Sequence, residues 1–246
     1  MTEEFKQKFK ALLKMFEAEV FPAYSCVVCG REIENTDFGL CEDCFSKLKL
    51  HNGNTCKFCG ERISDKDLVC TECKHVRFEF DKAYSFCDYD EISGKMIKDL
   101  KYNGKAYISS KIAKILAFLY CNTGEIADFI TFVPASKTTL EERGYNQTEL
   151  VANELSKMID VPAVALVHRT REVERQATLS GDERKNNLKD VFKAEPNDNV
   201  KGKNIMIIDD VFSTGTTLSE MAKAIKKLKP RRVIALTLAK THVDII

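Results

Sequence analysis

Apolar positions along the chain follow two rhythms. Short continuous apolar runs at 129–133, 163–167, 204–208 and 233–239, with a further segment at 82–89, predict β-strands. Unbroken runs of this kind fit a parallel sheet covered on both faces. Between them lie helical stripes: Ile108, Ile112, Ile115, Leu116 and Leu119; Leu150, Val151, Leu155, Met158 and Ile159; Leu218, Met221, Ala222, Ile225 and Leu228. Strands alternating with helices predict an open, mostly parallel α/β sheet flanked by helices. The first twenty residues set Phe5, Phe9, Leu12, Leu13, Phe16 and Val20 among charges, the pattern of an amphipathic helix rather than a signal-peptide core. Residues 168–192 break the alternation. They are polar, rich in arginine and long for a connection, as a functional loop would be.

Residues 21–78 follow neither rhythm. They are too poor in periodic aliphatic residues to build a core, and they hold eight of the ten cysteines. The eight form two copies of one unit, Cys26-x2-Cys29-x11-Cys41-x2-Cys44 and Cys56-x2-Cys59-x10-Cys70-x2-Cys73. Each C-x-x-C turn points two thiolates to one side of a knuckle, and two knuckles complete a tetrahedron around Zn²⁺. Gly30 and Gly60, directly after the second cysteine of their pairs, let the backbone turn under the metal. Two structural zinc sites are expected. Sequential ligation within each unit is the preferred arrangement, with cross-braced ligation the alternative. Cys87 and Cys121 read as small buried hydrophobes, and His51 and His75 as surface histidines. The expected layout is an N-terminal helix over 1–20, a double zinc-ribbon module over 21–78 and an α/β domain over 79–246.

Charge excludes little. The 246 residues carry a formal +1, and each four-thiolate zinc centre contributes −2, which brings the total to −3. No net field therefore draws the chain toward DNA or a membrane. No apolar run reaches the length of a transmembrane helix, and the cytoplasm is the expected compartment.

The strongest chemical signal is Ile205-Met206-Ile207-Ile208-Asp209-Asp210-Val211-Phe212-Ser213-Thr214-Gly215-Thr216-Thr217. An apolar strand runs into two carboxylates, then into a turn of hydroxyls and glycine before a helix. Carboxylates only accept hydrogen bonds, which suits vicinal ribose hydroxyls. The turn offers backbone amides at a helix start, which suits phosphate. No Walker lysine is present. The segment resembles the signature of type I phosphoribosyltransferases, which bind 5-phosphoribosyl 1-diphosphate (PRPP). Strand 129–133 running into Pro134-Ala135-Ser136-Lys137 fits the pyrophosphate loop of that fold. Arg143-Gly144-Tyr145-Asn146-Gln147, the set Arg175-Gln176…Leu179…Arg184…Asn187…Phe192, and the segments "VFPAYSCVVCG" and "IKDLKYNGK" are similar to those of the ComF family, including GntX-like and ComFC-type proteins. Glu172 and Glu174 among the loop arginines depart from that pattern.

The resemblance implies a type I phosphoribosyltransferase fold behind the zinc ribbons. It also implies PRPP bound with Mg²⁺ by Asp209, Asp210, Ser213, Thr214, Gly215, Thr216, Thr217, Ala135, Ser136, Lys137 and Arg143. Asp209, Asp210 and Lys137 would carry the chemistry, a pentosyl transfer to an unidentified acceptor. A part in DNA uptake during competence follows from the same resemblance, with single-stranded DNA and a competence helicase as partners. Two alternatives stay open: a salvage-type enzyme and a PRPP sensor without turnover. The basic cluster Lys223, Lys226, Lys227, Lys229, Arg231 and Arg232 reads as a helix end and a solvated face. Phe38, Phe45, Phe58, Phe78 and Phe80 read first as packing beside the zinc sites and second as stacking platforms for bases.

Overall fold

The computed structural model describes residues 25–33, 38–64, 67–172 and 190–241. The expected N-terminal helix, and Arg175, Gln176, Leu179, Arg184 and Asn187, lie outside them. The elements run α1 (Glu42–Ser46), α2 (Thr71–His75), β1 (Lys82–Asp88), α3 (Glu91–Tyr102), α4 (Ile108–Thr123), β2 (Phe129–Phe132), α5 (Lys137–Arg143), α6 (Gln147–Ile159), β3 (Val167–Arg169), β4 (Phe192–Ala194), β5 (Asn204–Phe212), α7 (Thr216–Lys226) and β6 (Arg232–Lys240).

The central sheet has the order β1-β6-β5-β2 and is parallel throughout. Side chains alternate across it. Met206, Ile208, Ile234 and Leu236 face α3, α4 and α6, whereas Ile205, Ile207, Val233 and Ala235 face α7 and the β3–β4 pair. Local signals place the helices. Asp90 opens α3 with a capping box closed by Ser93, and Asn146 caps α6. Left-handed Gly124 and Gly144 end α4 and α5.

The apolar run 163–167 behaves differently from its expectation. It pairs with the sheet by one bridge, Ala163 to Ile130, with the Ile130 amide donating to Pro162 O and the Val164 amide to Ile130 O; beyond it the Leu166 amide meets the Thr131 hydroxyl in place of a backbone carbonyl. The strand proper, Val167–Arg169, pairs antiparallel with Phe192–Ala194 in a separate two-stranded sheet. Strand β5 is also longer than the apolar run that predicted it. It continues through Asp209 and Asp210 to Phe212, because β6 pairs with it as far as Phe212↔Lys240.

The two cysteine units close sequentially. Cys26, Cys29, Cys41 and Cys44 form one group and Cys56, Cys59, Cys70 and Cys73 the other, with the sulfurs of each group within 4.8 Å of one another. The Cys29–Cys41 and Cys59–Cys70 separations are 3.7 and 3.5 Å. A zinc tetrahedron with sulfur bonds of about 2.3 Å has edges of about 3.8 Å, so both groups fit Zn²⁺. The module is continuous with the sheet. The Ala83 amide donates to Phe58 O (2.7 Å), the His51 amide to Phe86 O (2.9 Å) and the Asp88 amide to Lys49 O (2.9 Å), which closes the outer edge of β1. Gly60 is required there: at φ +71°, a Cβ would stand 2.7 Å from Ala83 O. The two zinc groups join opposite faces of the sheet. Cys26, Cys41 and Cys44 pack with Phe86, Ile92 and Ile112, and the second group with Phe80, Ile207, Phe212 and Leu218. His51, read from the sequence as a surface residue, has a side chain only 1% exposed, with Nε2 2.7 Å from Asp88 Oδ1. Phe38 and Phe45 stack at 5.7 Å and Phe78 and Phe80 at 4.8 Å, whereas Phe58 remains 40% exposed.

Candidate functional site

A cleft of about 350 Å³ opens at the carboxyl ends of β5 and β2, where open α/β sheets hold ligands. Asp209 and Asp210 stand near the end of β5, Asp210 two residues before its last residue, Phe212, one on each face of the strand, joined by a 2.9 Å bond from the Asp210 amide to Asp209 Oδ1. Asp210 meets the Lys101 ammonium at 2.7 Å and the Gln147 amide at 3.2 Å. Burial alone would depress the Lys101 pKa, but the Asp210 carboxylate outweighs it and raises it. Asp209 has no such cation in direct contact among the described residues. Burial, with repulsion from Asp210, pushes its carboxyl up to about 7, against the pull of Lys101 and Arg169. The pair is thus short of positive charge, which makes it a fitting place for a cation or for hydroxyl donors.

Across the cleft, Pro134, Ala135 and Ser136 form the opposite wall. Ser136 caps α5 by accepting from the Thr139 amide (3.0 Å). Lys137 is the first residue of α5 and lines the adjoining cavity instead. Its amide donates to Glu172 Oε1 at 2.7 Å, so the acidic departure noted in the sequence lands on this loop. The cations lining the Asp209–Asp210 cleft are Lys101, Arg143 and Arg169. Burial lowers the pKa of the Arg169 guanidinium, which donates to Pro134 O at 2.8 Å.

The turn of hydroxyls and glycine follows β5. Ser213 and Thr217 line the cleft. Thr214 and Thr216 join hydroxyls behind it at 2.8 Å, and Gly215, at φ 72°, caps α7 without offering a side chain to its first amides.

The segment Arg143–Thr148 assembles much of the remaining wall. Arg143 bonds Gln147 Oε1 (2.6 Å) and sits 4.8 Å from the Tyr102 ring. Tyr145 reaches Leu100 O (2.6 Å). Asn146 and Thr148 both donate to Val133 O, at 3.1 and 2.7 Å, which ties α6 to the end of β2. Sequence reasoning selects only Arg143 from this group. It also misses Lys101, although the segment that carries it stands out by resemblance.

Lys101 is placed by the turn after α3. Asp99, 2% exposed, accepts from Asn103 Nδ2 (2.6 Å), Lys105 Nζ (2.8 Å) and Lys95 Nζ (3.1 Å). Burial would raise its pKa, but these donors outweigh it and hold it at about 2. A native pKa below that of an unfolded aspartate, near about 4, stabilises the fold above that pH and loses the effect as pH falls through the native value. Asp99→Asn is expected to cost about 2 kcal/mol at pH 7, and the gap from wild type to shrink by roughly half near pH 3. Urea melts across that range check it; a gap unchanged with pH would remove the charge from the explanation.

Comparison with known proteins matches the same two parts. The double zinc ribbon domain family matches residues 18–74, and the phosphoribosyl transferase domain family residues 144–245. Competence protein F of Haemophilus influenzae is 26% identical over 83% of this chain and 92% of its own length. The DNA utilization protein YhgH of Escherichia coli K12 is 29% identical over 80% and 88%. Competence protein ComFC of Bacillus subtilis is 28% identical over 83% and 85%. A solved glutamine phosphoribosylpyrophosphate amidotransferase from B. subtilis overlaps 54% of this chain and 26% of that one, at 20% identity and a TM-score of 0.35, a likeness too loose to argue from. With a double zinc ribbon ahead of a phosphoribosyl transferase domain, the chain is similar along four-fifths of its length to these competence and DNA utilization proteins.

Proposed function

We propose that the cleft binds PRPP together with Mg²⁺, and that the protein serves the handling of incoming DNA in which its relatives are named. One observation carries the ligand: two carboxylates and a glycine-hydroxyl turn at a helix start share one cleft with a second strand-end loop. The carboxylates of Asp209 and Asp210 accept from the ribose hydroxyls. The amides of the turn and the start of α7 hold the 5-phosphate. Ala135 and Ser136 face the pyrophosphate, and Lys101, Arg143 and Arg169 supply the charge that Lys137, turned to the neighbouring cavity, does not. Asp209 and Asp210 would hold Mg²⁺, which when bound would supply positive charge to neutralise the departing pyrophosphate.

In a transfer, the acceptor's lone pair forms the bond to the anomeric carbon. The bond from that carbon to pyrophosphate breaks, and pyrophosphate leaves with the electron pair. Positive charge develops on the ribose ring in between, and Asp209 and Asp210 face it. The names of relatives along four-fifths of the chain support the place in DNA uptake, with single-stranded DNA and a helicase as candidate partners in the cytoplasm. Among the described residues, no helix is long and apolar enough to cross a membrane.

Calorimetry of PRPP with Mg²⁺ tests the ligand. Wild type is expected to bind, and Asp209→Asn/Asp210→Asn, folded by circular dichroism, to lose the binding. Equal binding by both would place PRPP elsewhere, and no binding by wild type would remove the proposal.

A further inference from the structure

The ribose-phosphate turn does not rest on its own domain alone. Gly215 leaves no room for a side chain: an added Cβ would stand 2.7 Å from Phe212 Cζ and 2.7 Å from Phe78 Cε1. Phe212 belongs to β5, but Phe78 belongs to the segment leaving the second zinc group, five residues after Cys73. Phe78 stacks on Phe80 with ring centres 4.8 Å apart and planes 13° apart, and both meet Phe212 edge-on at 5.9 and 6.0 Å. Next to Phe78, the Glu79 amide donates to Ser219 Oγ in the first turns of α7 at 3.0 Å. On the other side of the Phe212 ring, the Lys240 ammonium sits 3.8 Å from the ring centre and 3.6 Å from Glu61 Oε2. Glu61 lies in the first knuckle of the same zinc group, where its carbonyl accepts from the Cys56 amide.

We propose that Phe78 is a positioning residue for the phosphate turn, and that the second zinc group, through Phe78, sets the affinity of the cleft for its phosphorylated ligand. The ligand named here rests on the PRPP reading; the ordering of the turn does not. A turn that presents amides to phosphate must hold them at fixed directions before the ligand arrives, since freezing a mobile loop subtracts from binding. Gly215 gives the turn its left-handed bend but also its freedom, because glycine has the most conformations to lose. The aromatic floor removes that freedom. One of its three rings, Phe78, comes from the end of the cysteine-rich module, which four thiolates closed on one metal would anchor. The first zinc group packs on the opposite face of the sheet and has no ring in this floor, so the two groups separate in their consequences.

Four variants of the full chain decide it: Phe78→Ala, Phe78→Leu, Cys70→Ser/Cys73→Ser and, as the comparison, Cys26→Ser/Cys29→Ser, each confirmed folded by circular dichroism. Two quantities are read: hydrogen exchange of the amides of 214–218 without ligand, and the Kd for PRPP with Mg²⁺. Phe78→Ala and the second-group variant are expected to speed exchange at 214–218 at least tenfold and to raise Kd about tenfold. The first-group variant should leave both within threefold, and Phe78→Leu should return most of the loss. Exchange at 214–218 unchanged in Phe78→Ala would overturn the proposal. So would an equal effect from both zinc groups, which would mean general loosening, or a lack of recovery in Phe78→Leu. If wild type binds no PRPP, the ligand reading fails while exchange still decides whether Phe78 orders the turn. If either zinc-group variant does not fold, Phe78→Ala and its leucine counterpart decide the question by themselves.

Discussion

Removal of both zinc ions is expected to abolish cooperative unfolding of the whole chain, not merely to melt an appendage. Structural zinc in small Cys-ligated modules supplies about 10–16 kcal/mol of apparent binding free energy. That is comparable with or larger than the roughly 5–15 kcal/mol that holds a domain together. Here the metal-dependent segment also forms three backbone bonds along β1, places Gly60 against Ala83 and contributes cysteines to the cores on both faces of the sheet. Elemental analysis should give two zinc ions per chain. After treatment with a strong chelator and removal of the complex, the thermal transition should broaden and lose its heat, and re-addition of Zn²⁺ should restore it. A chelated chain that still melts as sharply as before would show that the sheet holds without the module, and the edge contacts would then be incidental.

Replacing Lys101 is expected to destabilise the protein out of proportion to its size. Its side chain is 21% exposed and that of Asp210 10%, so the 2.7 Å pair sits in a largely closed place. Removing one member of such a pair strands the other charge and costs about 3 kcal/mol, near the low end for buried pairs. In a chain of this size that corresponds to a fall of about 10 °C in Tm. Lys101→Met keeps the aliphatic stem and deletes only the charge. Asp210→Asn alone should also destabilise, and the double variant should recover much of the loss, because no charge is then left without its partner. Additive losses in that thermodynamic cycle would show that Lys101 acts through packing instead of through Asp210.

The parts of the fold with a local cause were legible. The apolar runs of β2, β5 and β6 declare buried parallel strands, and the doubled C-x-x-C unit declares its own metal groups and closes sequentially as preferred. The run 163–167 misled because an apolar stretch shows burial without a partner. Where the ladder stops, the Leu166 amide meets the Thr131 hydroxyl, a tertiary contact between residues far apart in the chain. Within the cleft, Asp209, Asp210, Ser213 and Thr217 were visible because one continuous segment carries them. Lys101 was not, because nothing in its neighbourhood announces that α3 delivers it to the end of β5, more than a hundred residues later. Lys137 shows the reverse. Its proximity to a loop in sequence suggested the cleft, but as the first residue of α5 it turns to the next cavity. Asn146 and Gln147 lie in a segment noticed by resemblance, and Thr148 directly follows it. Their separate tasks, one on Asp210 and two on the Val133 carbonyl, exist only once α6 is docked against β2 and β5.

The bonds from Lys49, His51 and Phe58 to the outer side of β1 have one more consequence. An open sheet ends in rows of unsatisfied amides and carbonyls that welcome a strand from any neighbouring molecule. In this protein the row along β1 is already occupied by chain that only metal keeps in shape. Zinc bound by the two cysteine groups would therefore guard this edge against self-association as well as support the fold. A population short of the ion would present a sticky border to its own copies, and light scattering during chelation would record growth of assemblies that metal-replete protein does not form.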